Sequence, residues 1–443
     1  MRVPTRRGKP AIESRRARRE SPALGTWYRP VDSSMRPART MNRASGIASS
    51  APLPASTASR PGEGVPAAAA PVAHLEELDG LRGLLSWWVV VIHTLSTAGI
   101  DLESTWLLRQ LFGATIRVKL FAALSGFVIA NLLTQRRESY PVFLARRLIR
   151  LYPVYVVCLG ASGMLLGFDI EVLEALPWRS EVQGAWLSYH RTALERFWTH
   201  LAVHLTLAHG VVPEWKLHDA AFTILGQAWN ISTECQFYVL APLLIGLVVS
   251  KHLARRCLGL ALFVALYACR GYPNPAFLGT YALYFLLGVL SLVAVRWLLR
   301  ADKVALMQRS RVGGTSVVIA AGALIATRNL ALSIWLLVLA AALVRIASAG
   351  AARIEGAVCR LLTLRPALYS ARLSYPIYLC HMTVILPVAY VATGTFGTRL
   401  GPLGYFACIA AVSAPLITVL AHLLHVGIEA PTIAWGRRLG RRR

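Results

Sequence analysis

One histidine lies within the first long apolar stretch of the chain. The run from Leu84 to Ile100 is apolar apart from a few hydroxyl groups and His93, and with its flanks it is long enough to cross a bilayer. An ionisable side chain at that depth is costly, so it faces the interior of a helix bundle and marks a site. Arg82 precedes His93 by eleven residues, three helical turns plus roughly 20°, so both lie on one helix face about 16 Å apart. This spacing predicts a track that leads a charged substrate to a reactive imidazole.

Two arginines stand at the start of the third apolar run. Arg147 and Arg150 are three residues apart and are therefore neighbours on one helix face. Guanidinium groups bind phosphate through paired hydrogen bonds, as a nucleotide-bearing acyl donor requires. Basic residues at this position also set membrane topology and contact lipid headgroups. The pair by itself predicts either a phosphate site or a topology signal.

Three further sets of polar residues lie inside apolar runs. Glu234 begins an apolar helix and must have a partner there, which is either structural or part of a cavity wall. Ser125 and Gly126 allow another helix or an acyl chain to approach closely, and taken alone they favour helix packing. His381 follows Tyr378 by one turn in a late apolar run. Here a hydrogen-bonded core histidine is favoured over a catalytic one.

The composition is typical of a polytopic membrane protein. Of the 443 residues, 56% are hydrophobic, and they form repeated apolar runs instead of amphipathic helices or alternating strands. The formal net charge of +26 lies largely in the N-terminal tail and in short loops, where basic residues set topology, so it argues against a nucleic-acid partner. The seven cysteines have no metal-ligand spacing, so neither a metal nor a disulfide framework is predicted.

Ten apolar runs predict an all-α fold with about ten transmembrane helices. They fall near residues 84–100, 117–134, 147–168, 229–249, 255–270, 276–299, 313–327, 330–348, 373–393 and 403–427. Basic residues concentrate in alternate loops, which predicts that both termini are cytoplasmic. The expected location is the inner (cytoplasmic) membrane, in contact with its lipids.

The segments around the apolar runs complete the predicted organisation. The predicted domains are residues 1–73, a disordered basic tail, residues 74–436, the transmembrane domain, and residues 437–443, a basic cytoplasmic C-terminus. The long outer loop contains a segment, Leu187 to Val212, that is interpreted as one interfacial or re-entrant helix. His200 and His204 within it are four residues apart. Without a third ligand nearby, an interfacial helix surface is favoured over a metal site.

Together these residues resemble the acyltransferase family 3 membrane proteins, which O-acylate bacterial surface polysaccharides and some small glycosides. The matching positions are Asp79, Arg82 and His93; Ser125, Gly126 and Phe127; Arg147, Arg150, Tyr152 and Pro153; Trp229, Glu234, Gln236, Phe237 and Tyr238; Ser374, Tyr375, Tyr378 and His381; and Glu429 and Pro431. Asn230 stands where the family usually has serine. Each of the first five motifs alone is weak, but the five in this order are specific, and Glu429 with Pro431 extends the resemblance over residues 75–436.

The resemblance implies transfer of an acyl group, commonly acetyl, from acyl-CoA to a hydroxyl of a sugar, glycan or glycolipid, with no bound cofactor and no metal. His93 is then either the general base on the acceptor or the carrier of the acyl group, and burial keeps its imidazole neutral. Arg147 and Arg150 would hold the CoA phosphates, and Ser125 with Gly126 would lie beside the acyl chain.

The resemblance leaves the roles of Asp79 and Glu234 open, and the sequence also allows a function other than acyl transfer. Asp79 would orient Arg82 or respond to the donor, and Glu234 would suit acceptor binding or a proton relay. The alternative function is a transporter or flippase for a charged metabolite or a lipid-linked sugar, because intramembrane His, Glu and Arg suit it equally. Such transporters often have two related halves, and the motifs of this chain do not recur.

Overall fold

A computed structural model describes most of the chain that follows residue 73. The described residues are 74–100, 106–113, 115–135, 138–300, 303–304, 315–346 and 353–439. The predicted disordered tail, residues 1–73, lies outside them, as do the last four residues of the predicted basic C-terminus. Among the described residues there is no β-strand, and every regular element is helical, as the sequence predicts.

Each of the ten predicted apolar runs coincides with a helix or a helix pair in the described part of the chain. The helices are α1 (Glu76–Thr97), α2 (Trp106–Phe112), α3 (Thr115–Gln135), α4 (Tyr140–Ala175), α5 (Glu181–Glu195), α6 (Phe197–Leu205), α7 (Trp229–Val248), α8 (Leu253–Ala268), α9 (Ala282–Leu298), α10 (Thr315–Thr327), α11 (Leu330–Ile346), α12 (Arg353–Thr363), α13 (Arg365–Cys380), α14 (Met382–Phe396), α15 (Pro402–Leu424) and α16 (Ala430–Arg438). The ends of two runs, 313–314 and 347–348, lie outside the described residues. Helices α2, α5, α6, α12 and α16 lie outside the runs.

Not every one of these helices is long enough to cross a bilayer by itself. Among the described residues, five helices are long and apolar enough, or six if the bent pair α13 and α14 forms one span. Helices α8, α10 and α11 have 16, 13 and 17 residues, fewer than the ~20 that a perpendicular span requires. About ten transmembrane helices and two cytoplasmic termini therefore stay predictions.

Glycines allow the closest helix contacts in the bundle. α1 packs along α13, and α3 packs along α9. A Cβ atom at Gly126 would overlap the backbone carbonyl of Phe285, and one at Gly288 would overlap that of Ala123. At Gly83 a Cβ atom would lie 2.5 Å from the carbonyl oxygen of Ala367. Helix packing thus accounts for Gly126, and its role beside the donor stays a prediction.

The sequence predicts one helix for the apolar run 373–393, and this prediction is wrong because the run belongs to two helices, α13 and α14. α13 and α14 meet at His381 at an angle of 64°. The Leu379 carbonyl accepts a hydrogen bond from Gln227 Nε2 at 2.7 Å. The Cys380 carbonyl accepts one from Thr383 Oγ1 at 2.6 Å. Because side chains occupy these carbonyls, the backbone ladder is interrupted and the helix bends.

The outer-loop segment is not the single helix that the sequence predicts, and its two histidines do not lie on an exposed helix surface. Residues 187–212 belong to two helices, α5 and α6, followed by a short turn, and both His200 and His204 are fully buried. Thr223, in the loop before α7, covers them, with its Oγ1 atom 2.9 Å from His200 Nδ1 and 3.2 Å from His204 Nε2. His204 also stacks on His209, with ring centroids 4.2 Å apart. Burial lowers the pKa of His204 well below its usual value and that of His209 to about 4.

Candidate active site

The structure brings His93 of α1 against His381 at the bend between α13 and α14. His93 Nδ1 lies 2.7 Å from His381 Nε2. His381 Nδ1 lies 3.2 Å from the Ile377 carbonyl oxygen, which can only accept, so this nitrogen carries a proton. In a neutral His381, Nε2 therefore accepts a hydrogen bond from His93 Nδ1. His93 Nε2 is then the unprotonated nitrogen that can act on a substrate.

His93 lines a cavity of about 340 Å³. Trp186 of α5 contacts His93 edge-on, with ring centroids 5.4 Å apart. Other residues of the cavity wall come from α3, α4, α5, the loop before α7 and the first residue of α7, and they include Arg117, Asp169, Tyr189, His190, Phe222, Gln227 and Trp229. The volume and the mixed aromatic and polar wall suit a small ligand.

Arg147 and Arg150 lie in a second polar group, with Glu234 and Tyr238 of α7. Ser125 Oγ donates a hydrogen bond to Glu234 Oε1 at 3.1 Å, and the Tyr238 hydroxyl donates to the same oxygen. Both guanidinium groups interact electrostatically with Glu234. Their Nε atoms are buried and have no hydrogen-bond partner among the described residues. Glu234 is therefore grouped with the arginines, and it does not line the cavity of His93.

A second buried carboxylate interacts with Arg150. Glu429 is 3% exposed and ends a wide helical turn, His425–Glu429, that joins α15 to α16. Its Oε2 atom lies 2.7 Å from His425 Nδ1, and its charge acts on Arg150. The sequence marks Glu429 only as a family match, because nothing in its spacing shows that the His425–Glu429 turn and α16 pack against α4.

Asp79 and Arg82 form a pair in the first turns of α1. Asp79 Oδ1 lies 3.5 Å from an Arg82 guanidinium nitrogen, and Asp79 Oδ2 lies 2.7 Å from His74 Nε2. The hydrogen bond to Asp79 raises the pKa of His74. Asp79 also interacts with the charge of Arg150. Arg82 does not line the cavity of His93, so this end of α1 lies by the arginine group.

Tyr378 of α13 lies between the two polar groups. Its hydroxyl donates a hydrogen bond to the Gln227 carbonyl at 2.6 Å. Its ring centroid is 6.4 Å from that of His381 and 6.1 Å from that of Phe121. Phe121 lies one turn before Ser125 on α3. Tyr378 thus links the histidine pair to the helix that carries Ser125.

Sequence reasoning missed several polar residues of the cavity, and three of them lie on three different helices. Arg117 lies in the first turn of α3, Asp169 lies near the end of α4, and Trp186 lies on α5. Asp169 and Arg117 are charged residues at the ends of apolar runs, where charge normally signals topology. Only the tertiary packing of α3, α4 and α5 brings these positions into a common wall.

One cluster in the described part of the chain has side chains spaced for a metal ion. The ligand atoms of Glu214, His218 and Asp219 lie within 4.8 Å of one another. His218 Nδ1 lies 2.8 Å from Asp219 Oδ2, and the Asp219 amide donates to Glu214 at 2.8 Å. Such contacts are common among exposed acidic groups, and we propose no metal there.

Comparison with known protein families gives the class of this protein. A family model described as an acyltransferase domain matches residues 75–422. The chain therefore belongs to acyltransferase family 3, and it is an enzyme that transfers acyl groups other than aminoacyl groups. Its apolar helices and its family make it a multi-pass membrane protein. The family favours this class over the transporter that the sequence left open. No curated protein and no solved structure matches the chain.

Proposed function

We propose that this enzyme transfers an acyl group, acetyl in the simplest case, from acyl-CoA to a hydroxyl group of a sugar, glycan or glycolipid in the inner membrane. The observation that carries the proposal is the contact of His93, which lines the cavity, with His381 behind it. An imidazole held at one nitrogen by a second residue has a defined tautomer and orientation, as a general base in acyl transfer requires.

The proposed step moves one proton through His93. The acceptor hydroxyl loses its proton to His93 Nε2 while its oxygen attacks the thioester carbonyl. The new C–O bond forms, the C–S bond breaks, and the departing thiolate takes the proton from His93. His381 Nε2 accepts the hydrogen bond from His93 Nδ1 before and after this transfer, so it stabilises the imidazolium. In the carrier alternative, His93 Nε2 attacks the thioester carbonyl, the C–S bond breaks and the CoA thiolate leaves. The acceptor oxygen then attacks the acyl group on His93, the C–N bond breaks, and the proton of the acceptor hydroxyl goes to the thiolate.

The arginine group suits the phosphates of CoA. Arg147 and Arg150 present buried guanidinium nitrogens without hydrogen-bond partners among the described residues, and guanidinium matches phosphate geometry. Glu234 and Glu429 supply the negative charge that a buried cation needs. The thioester would then reach His93 past Tyr378, which lies between the two groups.

The cavity beside Trp186 suits the acceptor better than the surroundings of Glu234. Glu234 already accepts hydrogen bonds from Ser125 and Tyr238, and it lies with the arginines. His93 instead shares its cavity with aromatic rings and with a carboxylate. In this proposal the donor enters by the arginines from the cytoplasm, and the acceptor enters the cavity from the opposite side.

The release of free CoA thiol tests the proposal. Purified protein in nanodiscs receives acetyl-CoA and a panel of glycosides, and we expect thiol release that depends on the acceptor. His93→Ala should lower the rate by about 10²–10⁴, the usual contribution of a general base. The control His252→Ala removes an exposed histidine and should retain the parent rate. Acceptor-independent release, or near-normal turnover in a well-inserted His93→Ala protein, would contradict the proposal.

A further inference from the structure

We infer that Asp169 and His190 form the acceptor-binding end of the cavity and receive the hydroxyl groups of a glycoside. This inference rests on the proposed function and gives its acceptor specific contacts. Neither residue belongs to the family motifs in the sequence. Both lie in the wall of the cavity that contains His93.

Asp169 carries an unused hydrogen-bond acceptor. It lies near the end of α4, is 3% exposed and lines the cavity. Its Oδ1 atom is buried and has no hydrogen-bond partner among the described residues. A buried carboxylate oxygen without a donor is destabilising. A ligand hydroxyl in the cavity would supply that donor.

His190 leaves this acceptor available. Its Nδ1 atom donates to the Trp186 carbonyl oxygen at 2.7 Å, which fixes the ring. Its Nε2 atom lies 3.7 Å from Asp169 Oδ2, which is an ion-pair distance and is too long for a hydrogen bond. His190 therefore lies beside Asp169 without donating a hydrogen bond to it, and both side chains can contact one ligand.

Aromatic rings form the rest of this end of the cavity. Tyr189 of α5 stacks on Phe222, with ring centroids 5.0 Å apart, and both line the cavity. A sugar ring has apolar C–H faces and polar hydroxyl edges, so it fits between aromatic faces and a carboxylate. A cationic amine would also pair with Asp169, but the positive charge of Arg117 in the same cavity disfavours it.

Trp186 connects this binding end to the reactive nitrogen. Its backbone carbonyl holds His190, and its ring contacts His93 at 5.4 Å between centroids. One residue of α5 therefore sets the separation between the glycoside contacts and the base. A sugar whose first hydroxyl binds Asp169 would present another hydroxyl to His93, which would make the reaction selective for position on the ring.

Direct binding tests the inference apart from catalysis. Isothermal titration in nanodiscs would measure the affinity of the parent protein, Asp169→Asn and Glu171→Gln for a panel of methyl glycosides and for acetyl-CoA. We expect at least one methyl glycoside to bind the parent, and we expect Asp169→Asn to weaken it by roughly 10-fold or more, the effect of losing a hydrogen bond to a charged group. The affinity for acetyl-CoA should not change. Glu171 is exposed on the same helix, so Glu171→Gln should match the parent for both ligands.

The binding and thiol-release experiments together distinguish a failure of this inference from a failure of the proposed function. Parent-like glycoside affinity in Asp169→Asn, a parallel loss of acetyl-CoA affinity, or no glycoside binding to the parent would overturn the inference. If Asp169→Asn does not fold, His190→Gln replaces it with the same expectations. Thiol release that needs a non-glycoside alcohol and is unaffected by Asp169→Asn would overturn the inference and leave acyl transfer standing. Glycoside binding through Asp169 without any thiol release would instead overturn the proposed function.

Discussion

His93 Nδ1 lies 2.7 Å from His381 Nε2, although 288 residues separate the two histidines in the chain. Their ring centroids are 4.9 Å apart. His381 occupies the junction at which α13 bends into α14, so the contact depends on an irregular point of the backbone. The arrangement resembles a base held by an orienting partner, with an imidazole in the place of the usual carboxylate.

The His381 contact predicts graded effects of two substitutions. His381→Leu removes the acceptor for His93 Nδ1 and should lower the turnover rate by about 10²-fold, at the lower end of a general base's contribution. His381→Asn can still accept through its side-chain oxygen and should retain more activity. Steady-state kinetics with both substrates measures this, and KM values should change little. Equal loss in both variants would mean that His381 acts only in packing.

The arginine group predicts a specific loss of donor affinity. Arg147→Lys and Arg150→Lys keep the positive charge, so membrane insertion should survive, but they lose the planar guanidinium. A titration of acetyl-CoA should show affinity lower by roughly 10-fold or more, with the acceptor's affinity unchanged.

The neighbouring Arg146 offers a matched control for this titration. It pairs with Glu138 and donates to the Gly436 carbonyl at 3.2 Å, so it has structural partners of its own. Arg146→Lys should leave donor affinity at the parent value. If Arg147→Lys and Arg150→Lys also keep the parent affinity, these arginines serve topology alone.

The contact between α3 and α9 predicts intolerance of a single methyl group. Gly126→Ala and Gly288→Ala each force backbone atoms apart and should destabilise the protein by about 1–3 kcal/mol. Gly246, in α7, has open space around it, so Gly246→Ala should be neutral or slightly stabilising. Thermal unfolding in detergent measures all three. Normal stability with a selective loss of acetyl-CoA affinity in Gly126→Ala would favour its predicted place beside the donor.

The sidedness of the protein can be tested with single engineered cysteines. The alternation of basic loops predicts that residue 214 faces away from the cytoplasm and that residue 250 faces it. With the native cysteines replaced, Glu214→Cys should react with an impermeant thiol reagent on intact cells, and Ser250→Cys should not. The reverse pattern would invert the orientation, and labelling of both positions would contradict the count of ten spans.

The buried histidines of the outer segment predict acid sensitivity. Burial lowers the pKa of His209 to about 4, while an unfolded histidine titrates near ~6.5. Above pH ~6.5 neither the folded nor the unfolded state binds the proton. Between pH ~6.5 and about 4 the unfolded state binds it and the folded state does not. Stability should therefore fall between pH 6.5 and 4, by up to about 1.4 kcal/mol per pH unit for this group.

A substitution separates this effect from general acid denaturation. Unfolding midpoints in detergent would be measured from pH 7.5 to 4.5. His209→Gln can keep the donated hydrogen bond to the Ala228 carbonyl, which His209 Nε2 makes at 3.2 Å, and it should show a shallower decline. His252→Gln, at an exposed position, should decline like the parent. An unchanged slope in His209→Gln would exclude this residue as a source of acid sensitivity.

The sequence by itself determined the helical class, the positions of the apolar helices and the family. These properties are local, because hydropathy and residue spacing act over one or two turns of chain. It also predicted His93 as a candidate site residue, because an ionisable side chain inside an apolar run is costly wherever it lies, and Arg147 with Arg150 as either a phosphate site or a topology signal.

Only the tertiary structure decided which of these residues meet. The break at His381 arises because Gln227 and Thr383 occupy backbone carbonyls, and the first of these contacts joins distant parts of the chain. The burial of His200 arises in the same way, because Thr223 comes from a later loop. The division of the polar residues into an arginine group and a cavity that contains His93 depends on how helices pack, and packing is set by contacts between side chains far apart in sequence.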